Sequence, residues 1–161
     1  MNVTREIAIA VLDSAQIEDV ARLFHDIWHE TQARLQDPRI ARQRDLGFFR
    51  RRITRRAART LVAMDRSRCV GFACWTDDKL NSLFVDSGFR GEGIGGLLCA
   101  QAEQLMGRCG ASSFRLDCLD GNHAAKRFYE AQGWRAEALR ILDNETADGL
   151  CKVAAWKMVK P

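Results

Sequence analysis

Glycine residues are concentrated in a short segment between a predicted strand and a predicted helix. Gly91, Gly93, Gly95 and Gly96 follow the predicted strand 80–85, and helical spacing continues to about residue 108. The first N–H groups of a helix have no intrahelical partner, and the helix dipole gives that end a partial positive charge. Because glycine has no side chain to cover these groups, the segment is typical of a turn that binds an anion such as phosphate.

The position of this turn argues against two common phosphate-binding folds. A dinucleotide-binding fold would place Gly-x-Gly-x-x-Gly near the first strand, with an acidic residue about 20 residues later. Here the glycine turn lies in the middle of the chain. No Gly-Lys-Ser or Gly-Lys-Thr follows it, which argues against a nucleoside triphosphatase.

Length and composition indicate an ordinary folded protein. The 161 residues predict a single domain over residues 1–161, large enough to bury a core without disulfides or metal. Apolar residues make up 47% and charged residues 29%, which argues against a disordered chain. No apolar run approaches the roughly 20 residues that cross a bilayer, and the N-terminus lacks a signal-peptide pattern, so no membrane partner is expected.

The cysteine and histidine residues do not predict a metal site. None of the six cysteines forms a Cys-x-x-Cys pair, and most lie in apolar segments, so we expect reduced, buried thiols in a cytoplasmic protein. His25 and His29 are four residues apart on a predicted helix and could share a metal, but the sequence offers no third ligand. We favour surface or cleft positions for both and expect no metal cofactor.

Periodicity predicts the elements around the glycine turn. Asp13, with Gln16 three residues later, is typical of a helix start, and Asp37-Pro38 is typical of a helix end. The predicted helices cover residues 13–35, 40–58, 93–108 and 122–133. The predicted strands cover residues 5–12, 60–64, 69–75, 80–85, 111–119, 134–142 and 150–159. Two strand–helix–strand crossovers in the second half favour parallel pairing there.

Arginine is concentrated in the second predicted helix. Ten arginines lie between Arg34 and Arg59, while Leu46, Phe49 and Ile53 recur at helical spacing. One interpretation is a surface for nucleic acid or an acidic partner. The other is a solvated helix face, which we favour because no aromatic or polar base-contacting side chains alternate with the arginines. The net charge of +4 permits an anionic ligand without requiring nucleic acid.

A second motif follows the glycine turn in the order found in a known family. The turn is spelled Arg90-Gly91-Glu92-Gly93-Ile94-Gly95, a basic residue followed by x-x-Gly-x-Gly. Residues 122–134 contain the pattern Asn-x-x-Ala-x-x-x-Tyr-x-x-x-Gly-aromatic. Together the two motifs resemble those of the GNAT family of acetyl-CoA-dependent N-acetyltransferases, and the predicted element order resembles that fold over nearly the whole chain.

The resemblance implies an α/β (α+β) fold made of one domain. A mixed, mostly antiparallel sheet of six or seven strands would be flanked by four helices. A splayed pair of parallel strands would lie at the centre of the sheet. We expect the coenzyme to enter between these two strands.

The resemblance also implies where acetyl-CoA binds. The pantetheine arm would pair with the main chain of Leu83, Phe84 and Val85, and a backbone N–H in a bulge at Phe84–Val85 would stabilise the oxyanion. The pyrophosphate would lie on the N–H groups of Arg90, Gly91, Glu92, Gly93, Ile94, Gly95 and Gly96. Asn122 would cap its helix and contact the arm, and Phe128 would lie beside the coenzyme.

The catalytic groups follow from the same resemblance. Tyr129, the only tyrosine, takes the place of the phenol that protonates the leaving thiolate. A phenol with a pKa of about 10 is a plausible proton donor to a thiolate of pKa about 8.5. Many relatives carry a basic glutamate where this chain has Lys79. Asp117 is then our candidate base, acting directly or through water, and a solvated or salt-bridged Asp117 is the alternative.

The acceptor is the least defined part of the prediction. The first two helices and the sheet would offer Trp28, Glu30, Trp75 and Asn81 to a primary amine of a small molecule or a peptide. We expect direct acetyl transfer in a ternary complex, without metal. The alternative is a non-catalytic acetyl-CoA-binding module that contacts protein or nucleic acid through the arginine-rich helix. Nucleic acid is the less favoured partner, and a homodimer is one expected assembly.

Overall fold

One seven-stranded sheet runs through the molecule in the order β1-β2-β3-β4-β5-β7-β6. The computed structural model describes residues 5–161. The strands are β1 (Ile7–Val11), β2 (Thr60–Asp65), β3 (Arg68–Thr76), β4 (Lys79–Val85), β5 (Phe114–Leu119), β6 (Arg135–Thr146) and β7 (Gly149–Lys160). Every neighbouring pair is antiparallel except β4 and β5. The predicted mixed, mostly antiparallel sheet is confirmed.

Helices cover both faces of this sheet. They are α1 (Ile17–Thr31), α2 (Pro38–Gln43), α3 (Leu46–Arg55), α4 (Ile94–Arg108) and α5 (His123–Ala131). Alternate residues of β2 supply two separate cores: Leu61 packs in the core that contains α4, and Val62 packs in the core that contains α1 to α3. Within residues 5–161, no helix has both the length and the apolar character needed to cross a membrane.

The second predicted helix, 40–58, is two helices, so that prediction is wrong, and residues 5–161 contain five α-helices instead of the predicted four. Pro38 stands in the first turn of α2, and Arg44 leaves the helical conformation with ψ at 57°. Asp45 then caps α3, because its side chain accepts a hydrogen bond from the Phe48 N–H at 2.7 Å. The apolar spacing continues through the break, which is why periodicity alone did not reveal it.

Strands β4 and β5 are in register at one residue pair only. Lys79 pairs with Arg115, and the Arg115 N–H donates to the Asp78 carbonyl at 2.9 Å. Beyond Lys79 the two strands separate, and the edge of β4 that faces β5 has no strand partner there. The predicted splayed parallel pair is confirmed.

The bulge in β4 is not where we expected it. Cys74 pairs with Ser82 and Trp75 pairs with Leu80, which leaves Asn81 as the extra residue. The Asn81 amide donates to the Thr76 Oγ1 at 2.8 Å and so stabilises the irregular backbone. Phe84 and its neighbours pair regularly with β3, so the expected bulge at Phe84–Val85 is wrong.

Candidate active site

A cavity of about 770 Å³ opens where β4 and β5 separate. Elements from both halves of the chain form its wall, including α1, the α2–α3 junction, the start of α4 and α5. The predicted coenzyme residues that line it are Leu83, Phe84, Val85, Arg90, Gly91, Gly93, Ile94, Gly95, Gly96, Asn122 and Phe128. Glu92 is the exception: it is exposed and forms an ion pair with Arg5 at 3.2 Å.

The glycine turn gives α4 an uncovered N-terminus. Gly91 and Gly93 have φ angles of 79° and 82°, in the left-handed region that favours glycine. Gly93 is the N-cap of α4, and no side chain of the described part of the chain caps the first turn. The leading N–H groups of this helix therefore stay open to a ligand, and a ligand in the cavity can reach them.

Gly95 and Gly96 let α4 and α5 approach each other closely. A Cβ atom on Gly95 would lie 3.2 Å from the Phe128 ring, and one on Gly96 would lie 3.3 Å from the Gln132 Oε1. These distances are tighter than ordinary van der Waals contacts. The two glycines thus serve helix packing at the mouth of the cavity, a role that the motif alone did not indicate.

Arg90 crosses back over the end of β4. Its Nε donates to the Val85 carbonyl at 3.0 Å, and its Nη1 lies 3.9 Å from Glu30 Oε1. Arg90 lines the cavity, so it adds positive charge beside the N-terminus of α4. Glu30 is more than half exposed and lies beside Arg90 outside the cavity lining, not among the residues that would surround an acceptor.

Tyr129 is half-buried and lines the same cavity. Its ring packs edge-on against Phe128 and Trp134, with centroid distances of 5.2 and 6.1 Å. Burial raises the pKa of Tyr129 above its ordinary value, because the apolar surroundings disfavour the phenolate. The phenol therefore keeps its proton at neutral pH and holds it available at the cavity wall.

Asp117 is the one carboxylate in the cavity lining among residues 5–161. Its Oδ2 accepts a hydrogen bond from Lys79 Nζ at 2.7 Å, and both side chains are about a quarter exposed, at 26% and 29%. The structure thus shows the salt-bridged alternative for Asp117, which also lines the cavity, and the role of Asp117 as a base stays a prediction.

The sequence model of the acetyltransferase (GNAT) family matches residues 18–134. The chain belongs to the GNAT acetyltransferase family. This match covers the glycine turn, Asp117 and Tyr129 in a single alignment.

Solved structures share the fold of this GNAT chain from end to end. A GCN5-related N-acetyltransferase from Rhodopseudomonas palustris is 21% identical, with a TM-score of 0.75 over 99% of each chain. The PaiA N-acetyltransferase from Thermoplasma acidophilum, solved in complex with coenzyme A, is 20% identical, with a TM-score of 0.72 over 96% of this chain and 98% of that one.

A third solved structure is YncA from Salmonella typhimurium, a putative acetyltransferase with its cofactor acetyl-CoA. It is 17% identical, with a TM-score of 0.72 over 95% of this chain and 92% of that one. At these identities the likeness concerns the fold. A search of curated sequences gave no significant match.

The predicted acceptor residues of this GNAT chain separate into two groups. Trp28 and Asn81 line the cavity. Trp75 is only 5% exposed, packs in the core beside α4, and borders a different hollow with Asp77 and Asp78. Trp75 lies away from the cavity because it shares a face of β3 with Ala73, and both side chains pack in the core beside α4.

Two cavity residues were missed at the sequence level. Arg44 and Arg52 line the cavity on the side of α1 to α3, and their guanidinium carbons lie 4.0 and 4.6 Å from the centre of the Phe48 ring. Their spacing with Phe48, every four residues, was the available signal. It was hidden because the whole arginine-rich segment was interpreted as a solvated face.

The two histidines on α1 have local partners. His29 Nε2 donates to the Arg44 carbonyl at 2.6 Å, and His25 Nδ1 lies 2.8 Å from Asp26 Oδ1. In the part of the chain that the structure describes, no group of three or more His, Cys, Asp or Glu side chains is placed to hold a metal ion. His29 instead fixes the backbone at the α2–α3 junction.

Proposed function

We propose that this GNAT chain transfers an acetyl group from acetyl-CoA to a primary amine of a small molecule or peptide. The observation that carries the proposal is the single cavity that joins the uncovered N-terminus of α4 to Tyr129 and Asp117. One end suits a pyrophosphate, and the other holds a proton donor and a proton acceptor. The CoA complex of PaiA and the acetyl-CoA complex of YncA support this donor.

The free edge of β4 suits the pantetheine arm. Past Lys79 the main-chain groups of this edge lack a strand partner on the β5 side. Such groups favour a hydrogen-bonding partner, and the amides of pantetheine could add to the sheet like a short strand. Leu83, Phe84 and Val85 would contribute their main chain, except that the Val85 carbonyl already accepts from Arg90.

The proposed reaction proceeds directly within a ternary complex. The neutral amine attacks the thioester carbonyl, so that a C–N bond forms and the C–S bond breaks. Asp117 accepts the proton that the amine loses, directly or through water. Tyr129 donates its proton to the leaving thiolate, and solvent exchange then restores both groups.

Free thiols fit a reducing compartment. All six cysteines of the chain are free in the structure, and four of them are buried. We infer that the enzyme works in the cytoplasm, where thiols stay reduced.

Release of coenzyme thiol tests the proposal. Acetyl-CoA is incubated with the protein and a panel of primary amines, and a thiol reagent records product formation. Amine-dependent release above the background hydrolysis is the expected result. Tight coenzyme binding without turnover on any amine would contradict the enzymatic function.

The second candidate is a non-catalytic module that binds acetyl-CoA. The Lys79–Asp117 ion pair favours it, since a cation occupies the place where many relatives carry a glutamate. The thiol-release experiment separates the two candidates, because the module would bind the coenzyme and release no thiol.

A further inference from the structure

The acceptor side of the cavity contains two arginines without a carboxylate partner. Arg44 ends α2 and Arg52 lies on α3, and both are half-buried in the cavity wall. The two guanidinium groups lie against the ring of Phe48 between them. Among residues 5–161, no Asp or Glu oxygen lies within 4.0 Å of either one.

Other arginines of the same segment are neutralised. Arg39 pairs with Asp37 at 3.0 Å, Arg50 pairs with Glu18 at 2.7 Å, and Arg59 lies 3.6 Å from Asp77. Arg34, Arg51, Arg55 and Arg56 of this segment also lack a carboxylate within 4.0 Å among residues 5–161, but none of them lines the cavity, and all except Arg56 are exposed. Arg44 and Arg52 differ from them because they are both unpaired and half-buried in the cavity wall.

Burial makes this arrangement costly without a ligand. Desolvation, together with the nearby positive charges of Arg44, Arg56 and Arg55, lowers the pKa of Arg52 to about 10. Desolvation also lowers the pKa of Arg44. A half-buried cation that lacks a counter-ion is stabilised when an anion binds beside it.

The backbone around the two arginines is fixed in advance. His29 holds the Arg44 carbonyl, and the Asp45 side chain caps α3 through the Phe48 N–H. The carboxylate nearest in sequence is therefore engaged with the backbone. Stacking on Phe48 further limits the rotation of both guanidinium groups, so an anion would meet donors that are already oriented.

We propose that the acceptor amine belongs to a molecule that also carries an oxyanion, a carboxylate or a phosphate, which Arg44 and Arg52 bind. The proposal rests on the proposed function, since it names the acceptor class of the same site. The cavity wall offers partners for both ends of such a zwitterion. Asp117 Oδ1 on β5, the carboxylate oxygen that does not accept from Lys79, can accept a hydrogen bond from the amine, and the arginines attract the anion. Arg90 and the N-terminus of α4 remain for the coenzyme phosphates.

Binding measurements test this proposal without an activity assay: the affinity of each amine that carries an acidic group is compared with that of a matched neutral amine. The protein is saturated with coenzyme A and titrated calorimetrically with glycine, β-alanine and γ-aminobutyrate, each against its amide. The affinity of phosphoethanolamine is compared with that of ethanolamine in the same way, which tests a phosphate as the oxyanion. We expect at least one acid to bind about tenfold or more tightly than its neutral partner, the size expected for hydrogen bonds to charged groups. The arm in which the preference appears identifies the oxyanion.

Variants of single arginines show which side chains produce the higher affinity for acids. Arg44→Gln and Arg52→Gln should each reduce the ratio of acid to neutral affinity by about tenfold, whereas Arg55→Gln, an exposed arginine of the same helix, should preserve it. Arg52→Lys should retain part of it, because it keeps the charge and loses the planar fork.

Three outcomes have distinct meanings. Equal affinity for acids and neutral partners in every arm would overturn the proposal. A loss of coenzyme affinity in Arg44→Gln and Arg52→Gln, with the acid preference unchanged, would also overturn it and assign the arginines to the coenzyme. An acid preference without thiol release from acetyl-CoA would support the anion site and contradict the proposed transferase function.

Discussion

At the residue scale, the two proton-transfer candidates differ in how far sequence could identify them. Tyr129 was predicted from its place in a motif, and the structure adds that its phenol lines the cavity with a raised pKa. Asp117 was predicted with two alternative roles, and its ion pair with Lys79 could not be foreseen. The pair joins β4 and β5 across the sheet, and sequence spacing does not define such a contact.

Replacing Tyr129 by phenylalanine removes the proposed acid and little else. We expect kcat to fall by about a hundredfold or more, in the range attributed to a positioned general acid. Coenzyme affinity should stay nearly constant, because the ring and its contacts with Phe128 and Trp134 remain. Steady-state kinetics and a coenzyme titration measure the two quantities. Unchanged kcat would remove Tyr129 from the mechanism.

The raised pKa of Tyr129 also predicts a pH profile. Its folded value lies above the ordinary value of about 10, so the protonated form persists through that pH. Below about pH 10, kcat should therefore show no decline caused by loss of the Tyr129 proton. A decline centred below pH 9 that Tyr129→Phe abolishes would contradict this assignment.

The effect of losing the proposed base can be separated from the effect of losing the ion pair, because the Lys79→Met variant keeps the Asp117 carboxylate. Asp117→Asn removes both the proposed base and the ion pair, and we expect kcat to fall by about a hundredfold. Lys79→Met breaks the same ion pair and leaves the carboxylate, so its kcat should fall much less. Parallel kinetics of the two variants give the comparison. Equal losses would show that the ion pair, not the base, matters.

At the element scale, local turn chemistry was predicted well and long-range contacts were not. Gly133 ends α5 with a φ angle of 92°, and Asn122 caps its start, as expected. Both signals are local in sequence. The burial of Trp75 depends on tertiary contacts, which a one-dimensional pattern does not contain. The division of the second helix has a local signal, the Asp45 cap, which the continuing apolar spacing concealed.

The end of α4 offers a matched test of backbone conformation. Gly110 has a φ angle of 104° and closes the helix, with its N–H donating to the Gly107 carbonyl at 3.0 Å. A Cβ atom at Gly107 or at Gly110 would meet no other atom within 4 Å. The two positions therefore differ in backbone conformation and not in the room available for a Cβ atom.

Alanine at these two positions should have opposite effects. Gly107→Ala should raise the free energy of unfolding by about 0.5–1 kcal/mol, because it lies within the helix. Gly110→Ala should lower it by about 1–2 kcal/mol, because alanine is strained at positive φ. Chemical denaturation measures both. Equal changes in the two variants would contradict the assigned helix end.

At the scale of the whole molecule, the fold brings two different walls together around one cavity. The separation of β4 from β5 opens the cavity, α4 and Arg90 provide its positive end, and α1 to α3 form the opposite wall. The family motifs define only the first wall. The opposite wall, where we propose that the acceptor binds, is formed by helices whose sequence pattern shows apolar spacing and charge but not which arginines face inward.

The central claim is that the N-terminus of α4 binds the coenzyme pyrophosphate, and charge at Gly93 tests it most directly. Asparagine and aspartate both tolerate positive φ and have nearly the same size, so Gly93→Asn and Gly93→Asp differ mainly in charge. Gly107→Asp, which is exposed near the other end of α4, controls for an added charge on the same helix.

Calorimetric titration of these variants with coenzyme A is the deciding measurement. We predict that Gly93→Asp binds about 10- to 100-fold more weakly than Gly93→Asn, since two like charges about 5 Å apart repel by roughly 1–3 kcal/mol near a protein surface. Gly107→Asp should bind like the unaltered protein. Equal affinity of Gly93→Asp and Gly93→Asn would contradict the account, because the coenzyme phosphates would then lie elsewhere.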